Sequence, residues 1–100
     1  MTDAPRLERL DDGSLAFDCP GCGMMHMVNV DKPERPRWTW NNDMVRPTFS
    51  PSVLVRWEFR DRKPNKVCHF FVVDGEVRFC GDCTHEHAGK VLPMLPIEGD

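Results

Sequence analysis

The sequence has no apolar run near the roughly 18 residues needed to cross a bilayer, no internal repeat, and no window with a sustained helical apolar period. These absences exclude a membrane-spanning helix, a solenoid and a helix bundle. Nine prolines and seven glycines are spread along the chain, so that hardly any helix of about ten residues fits between them. Met1 to Asp12 carries charges of both signs and no apolar centre, unlike a signal peptide, and the expected compartment is the cytoplasm. A His-Glu-x-x-His helix is missing, as is the zinc-deaminase order in which a His-x-Glu precedes a Pro-Cys-x-x-Cys. No nucleophile–base pair stands out along the chain.

What remains is a sequence of 100 residues, 40% hydrophobic and 29% charged, the profile of one globular domain with a thin core. The expected division is an N-terminal arm over 1–13, a metal-binding β domain over 14–92 and a tail over 93–100. The net charge of −3 argues against general polyanion binding, but it is unevenly placed. From Lys32 to Lys66, nine Lys and Arg stand against four acids; elsewhere four stand against twelve. Trp38, Trp40 and Trp57 all lie in the basic segment. Basic residues interleaved with aromatics can hold single-stranded nucleic acid. They equally describe core indoles flanked by solvated arginines, which is the preferred reading.

The expected fold is all-β: a small zinc-stapled antiparallel sheet or ribbon with an extended C-terminal arm. Ser14 to Asp18 and Met24 to Val30 read as strands around Cys19-Pro-Gly-Cys22. Asp31 to Arg37 reads as a loop, and Arg46 to Pro51 as an extended connector pinned by two prolines. In Ser52 to Arg60, Val53, Val55, Trp57 and Phe59 alternate with a polar face that only Leu54 interrupts, as in a strand with one side buried. Asp74-Gly75 between two β-rich runs predicts a type I′ hairpin. Its register sets Val73 opposite Glu76, Phe70 opposite Phe79 and His69 opposite Cys80. Cys68, Phe70, Val72, Val77 and Phe79 then share an apolar face, and His69, Phe71, Val73, Arg78 and Cys80 share a mixed one.

Five cysteines in a chain expected to be cytoplasmic point to metal rather than disulfides. Cys19-x-x-Cys22 has the form of a metal knuckle, and no following helix supports the redox alternative. Cys80-x-x-Cys83 is a second pair, so spacing alone suggests a tetrad of Cys19, Cys22, Cys80 and Cys83. The hairpin register complicates this, because Cys68 and Cys80 fall on opposite faces and either could complete the site. His26, His69, His85 and His87 are all the histidines. They read as donors or surface groups around the site, as substitute ligands, or as a separate site in which His26, His69 and His85 hold a zinc.

Trp38-Thr-Trp40, Pro47 to Ser52, Val67 to Phe71, Asp74-Gly75, Asp82 to His85 and Ala88-Gly-Lys90 occur in this order after Cys19-Pro-Gly-Cys22 and His26. Together they resemble a small family of unknown function encoded by tailed phages and prophages, often mislabelled ammonia monooxygenase. More distantly they resemble the predicted metal-binding component of bacterial ubiquitin-like conjugation operons. The resemblance covers roughly residues 15 to 95. It implies a metal site of Cys19, Cys22, Cys68 or His69, and Cys83, with His85 as a further candidate. Cys80 stands where that pattern has an apolar residue and His87 where it commonly has Leu. This moves Cys68 ahead of Cys80, giving Cys19, Cys22, Cys68 and Cys83 as expected ligands, with His69, His85, His26 and Cys80 as substitutes.

Three functions are consistent with these residues. The favoured one is a zinc-stapled, non-enzymatic module that meets a host, defence or phage protein through a surface of Trp38, Trp40, Arg56 and Arg60. The second is a zinc hydrolase with His26, His69 and His85 as ligands and Asp82 or Glu86 as base. The third is a single-strand binder using the basic Trp segment.

Overall fold

The computed structural model describes residues 4–57 and 66–97. Every regular element among them is a β-strand, so the fold is all-β. β1 (Glu8–Arg9), β2 (Leu15–Asp18) and β3 (Met25–Val28) form one antiparallel sheet in that order. β4 (Thr39–Trp40), β5 (Phe49–Trp57), β6 (Lys66–Val73), β7 (Glu76–Phe79) and β8 (Val91–Pro93) form a second, also antiparallel and in sequence order. No helix among the described residues is long and apolar enough to cross a membrane.

The β6–β7 hairpin follows from its turn. Asp74 and Gly75 both have positive φ, 50° and 78°, as a type I′ turn requires. A Cβ on Gly75 would sit 3.2 Å from the Cα of Arg46, so close approach demands glycine as much as the turn does. The pairing runs Val73 with Glu76 through Phe70 with Phe79, and the Cys80 N–H continues it to the His69 carbonyl at 2.8 Å. This is the register expected from the sequence.

That register creates two unlike faces. Cys68, Phe70, Val72, Val77 and Phe79 are all buried and belong to one core with Leu15, Phe17 and Val28 of the first sheet and Leu7 just before it. Phe70 is fully enclosed, with Phe17 and Phe79 presented edge-on at 5.9 and 6.0 Å between ring centroids. Burying one such side chain contributes about 1.5–3 kcal/mol, so the inner face of β6 is the main seam between the sheets. The opposite face of β6 carries His69 and the exposed Phe71.

Several boundaries differ from expectation. β5 begins at Phe49, inside the stretch expected to be a connector, and its pairing to β6 shifts between Phe49 and Val53. Such an irregularity bends a strand and re-aims its side chains. Within β5, Val53 is buried and Leu54 exposed, as the alternation requires; Phe59 and Arg60 lie outside the described residues. The segment expected as an extended arm supplies β8, which pairs with β7. Leu7 and Met94, outside the expected 14–92 boundary, are core residues, each 2% exposed.

Candidate functional site

Two clusters of reactive side chains lie on opposite sides of β6. On the inner side, the turn after β2 is closed by the Cys19 N–H donating to Met24 O at 2.9 Å and the Gly23 N–H donating to Cys19 O at 3.1 Å. The Cys22 N–H points at Cys19 Sγ, 3.5 Å away. Gly21 is obligatory in this turn, because a Cβ there would lie 2.4 Å from the Phe79 ring and 2.9 Å from His85 Cε1. The turn brings both sulfurs toward β6, where Cys19 Sγ is 3.8 Å from Cys68 Sγ. His26 on β3 faces inward between Met25 and Met27, which are 53% and 58% exposed. Its Nε2 lies 3.4 Å from Cys22 Sγ. Phe17 and Phe70 pack on the imidazole and set its plane.

The donor atoms of Cys19, Cys22, His26 and Cys68 all fall within 4.8 Å of one another, a group that could hold a metal ion. Its electrostatics suit one. The Cys68 hydrogen bond drives the Cys19 thiol far below its ordinary range, with His26 adding to the effect against the opposing cost of burial. The same bond, then burial and the Cys19 charge, pushes Cys68 upward. Burial is the main cause raising Cys22. Several sulfurs this close cannot all ionise without a cation among them.

His85 is placed beside this group in a different role. Its Nε2 is 3.5 Å from Cys68 Sγ, and its Nδ1 accepts the His87 backbone N–H at 3.2 Å. Burial lowers its affinity for a second proton. Since Nδ1 is the acceptor, the single proton sits on Nε2 and points at the Cys68 sulfur. That ring position donates to the Cys68 sulfur and has no lone pair to offer an ion, so His85 is placed to orient Cys68 and not to bind an ion itself.

The outer side holds a hydrogen-bonded row. Ser52 Oγ lies 3.1 Å from His69 Nε2, and His69 Nδ1 lies 3.1 Å from both Asp82 carboxylate oxygens. Ser52 comes from the irregular part of β5. Its carbonyl accepts the Trp38 indole N–H at 3.2 Å, which fixes its backbone. His69 comes from β6, opposite Leu54. Asp82 arrives on the turn after β7, which two bonds tie to β6: Thr84 N–H donates to Val67 O, and Val67 N–H to Thr84 Oγ1, both at 3.0 Å. The His69 side chain is 26% exposed and that of Asp82 56%. Cys80 joins His69 and Asp82 in a second group within 4.8 Å that could also hold an ion. Burial, then the charges of Asp82 and Cys83, push its thiol upward.

Of the expected ligands, the structure gathers Cys19, Cys22 and Cys68, with His26 in the place expected for Cys83. The Cys83 sulfur is used otherwise: it accepts the His69 N–H at 3.3 Å and its S–H donates to the His69 carbonyl at 3.1 Å. The structure does not gather His26, His69 and His85: His26 belongs to the inner group and His69 to the outer one. Trp38 and Trp40 are half-buried against the core, and the Arg9 guanidinium covers the Trp40 ring at 5.6 Å. Arg56 is exposed; Arg60 lies outside the described residues. The serine was missed altogether. The one signal available was the hairpin register, which put His69 opposite Cys80 and therefore close to Asp82.

A serine hydroxyl, an imidazole and a carboxylate linked in that order have the connectivity found in serine triads. The chain belongs to the family described as bacterial ubiquitination-like system serine protease (BubE), whose model matches residues 4–80. This supports the link to bacterial ubiquitin-like operons. The matched span includes Ser52, His69 and all four residues of the inner cluster, and ends before Asp82. No curated protein and no solved structure matches the chain.

Proposed function

We propose that this chain is a serine hydrolase acting on peptide or related acyl bonds, with Ser52 as nucleophile, His69 as base and Asp82 as the group that orients His69. The observation that carries the reading is the pair of contacts on His69, 3.1 Å to Ser52 Oγ and 3.1 Å to Asp82. Asp82 accepts the proton on Nδ1, which leaves Nε2 bare to accept from the Ser52 hydroxyl. Ser52 Oγ attacks the acyl carbon as its proton passes to Nε2; that proton then goes to the leaving group. Water, deprotonated by His69, hydrolyses the acyl-serine and restores the enzyme. The protease description of the family agrees with this chemistry. The expectation of a non-enzymatic module rested on a closed cysteine-rich site and on the lack of an obvious nucleophile–base pair; in this reading Ser52 with His69 is such a pair.

A fluorophosphonate probe tests the assignment. It should label the native chain once, at Ser52 by peptide mapping, and should not label Ser52→Ala. Labelling elsewhere, or none, would sink the assignment.

The inner cluster, in this reading, is a structural zinc site. Tetrahedral zinc with Zn–S near 2.3 Å and Zn–N near 2.05 Å requires S···S edges of about 3.8 Å and S···N edges of about 3.5 Å. The observed Cys19–Cys68 and Cys22–His26 separations are 3.8 and 3.4 Å. Three cysteines and one histidine fill the coordination sphere, so bound zinc would clamp β2 and β3 onto β6 and leave no position for a substrate. Elemental analysis should return one zinc per chain. A chain that is folded and metal-free would remove the zinc from this scheme.

A further inference from the structure

A cavity of about 830 Å³ opens directly beside Ser52, a size typical of a ligand site. Ser52 and Leu54 of β5 form one wall and the Trp38 ring the next, and the 31–37 loop closes the far side with Pro36, Arg35 and Arg37. The loop is held in shape from below. The Asn29 side-chain amide donates to the carbonyls of Lys32, Glu34 and Pro36 at 3.1, 2.8 and 3.2 Å, and Asn29 Oδ1 accepts the Lys32 N–H at 2.9 Å. A floppy loop would have to be ordered at each binding event; this one already is.

Arg35 and Arg37 are the charged residues that line the cavity at Ser52; Glu34 and Lys32 line a neighbouring cavity that shares Arg35 with it. Asp31 is engaged by Arg9 at 2.9 Å. Among the described residues no carboxylate pairs with Arg35 or Arg37, and the Arg37 side chain makes a long hydrogen bond from Nε to Val30 O at 3.4 Å. Among the described residues, a chain with net charge −3 therefore sets two guanidinium groups without a carboxylate partner on the cavity that Ser52 lines.

We infer that this cavity is the specificity pocket of the hydrolase and that it selects peptides with an acidic residue within about two positions of the scissile bond. The inference rests on Ser52 being the nucleophile. The stem of a Glu or Asp lies on Trp38 and Leu54, and its carboxylate meets Arg35 and Arg37. Planar guanidinium forks match a carboxylate better than any other side chain does. A neutral isostere keeps the apolar contact and loses the charge-assisted bonds, and a Lys at that position meets like charge.

A positional-scanning set of internally quenched peptides, differing in Glu, Gln or Lys at each position, tests this. The native chain should cleave the best Glu peptide with kcat/KM about tenfold above its Gln counterpart, and the Lys peptide should be slower still. The ratio should shrink in 0.5 M salt as the partly exposed charges are screened, since at that strength the Debye length is only about 4 Å. In the double variant Arg35→Gln, Arg37→Gln, whose altered side chains are both exposed, the Glu-to-Gln ratio should fall to within about twofold of one. Equal cleavage of Glu and Gln peptides by the native chain overturns the inference, as does a preference that survives the double change. Cleavage of no peptide by a chain whose Ser52 takes the fluorophosphonate also overturns it. Failure of Ser52 to take the probe instead removes the hydrolase reading beneath it.

Discussion

Cys68 and His69 are neighbours in the chain and belong to opposite halves of the molecule. Cys68 is 0% exposed in the seam between the two sheets, against the Cys19–Cys22 turn. His69, one residue on, projects from the other face of β6 into partial contact with solvent, between Ser52 and Asp82. The alternation of a strand makes this possible: adjacent side chains point to opposite faces. In the proposed scheme, a cation on the buried face would offset the cost of crowding thiols in a dry core, and the wet face is where a substrate would reach the serine. A rigid inner face also serves the outer one, since a triad works only if its members hold their positions to about half an ångström.

The adjacent pair gives the sharpest way to break this comparison. Cys68→Ser removes a ligand from the inner cluster, and the binding energy of structural zinc, about 10–16 kcal/mol, is comparable with the whole stability of a small domain, about 5–15 kcal/mol. The variant should lose zinc and the cooperative melting transition together, by elemental analysis and calorimetry. His69→Ala removes a half-exposed ring from the outer face. It should keep zinc, shift stability by no more than about 1 kcal/mol, and lower kcat by about 10⁴-fold or more. A Cys68→Ser chain that melts like the native one would erase the distinction between the faces. So would a His69→Ala chain that is unfolded.

The two faces were unequally legible in the sequence for a physical reason. The β6–β7 hairpin is set by a two-residue turn at Asp74-Gly75, so its register, and with it the parity that separates Cys68 from His69, can be read locally. The Cys19-x-x-Cys22 turn is likewise local. His26 was within reach too, since alternation along β3 places it with Val28 on the buried side. The pairing of β5 with β6 is different. It joins strands separated by eight residues in the sequence, and it shifts between Phe49 and Val53, so counting residues does not predict which of them meets His69. Ser52 was legible only as one polar residue on a strand's wet face. Cys83, expected as a ligand from its spacing and from the resemblance, lies outside the inner group, and its thiol bonds the backbone of His69.

The smallest expected effect separates the two histidines of the inner face. His26 and His85 both put Nε2 within 3.5 Å of a cysteine sulfur, and distance alone does not say which is a ligand. The partner of the other ring nitrogen decides for His85: accepting the His87 N–H forces the proton onto Nε2, so this ring can only donate to Cys68. His85→Ala should therefore keep one zinc per chain, cost about 1–3 kcal/mol for the sulfur left without its donor, and weaken zinc retention against a chelator by about 10–100-fold. His26→Ala should lose the zinc outright. Should metal analysis give the reverse pattern, with zinc lost on changing His85 and kept on changing His26, the tautomer assignment would fail. The fourth ligand would then come from the turn after β7 instead of from β3, and the clamp would join different parts of the fold.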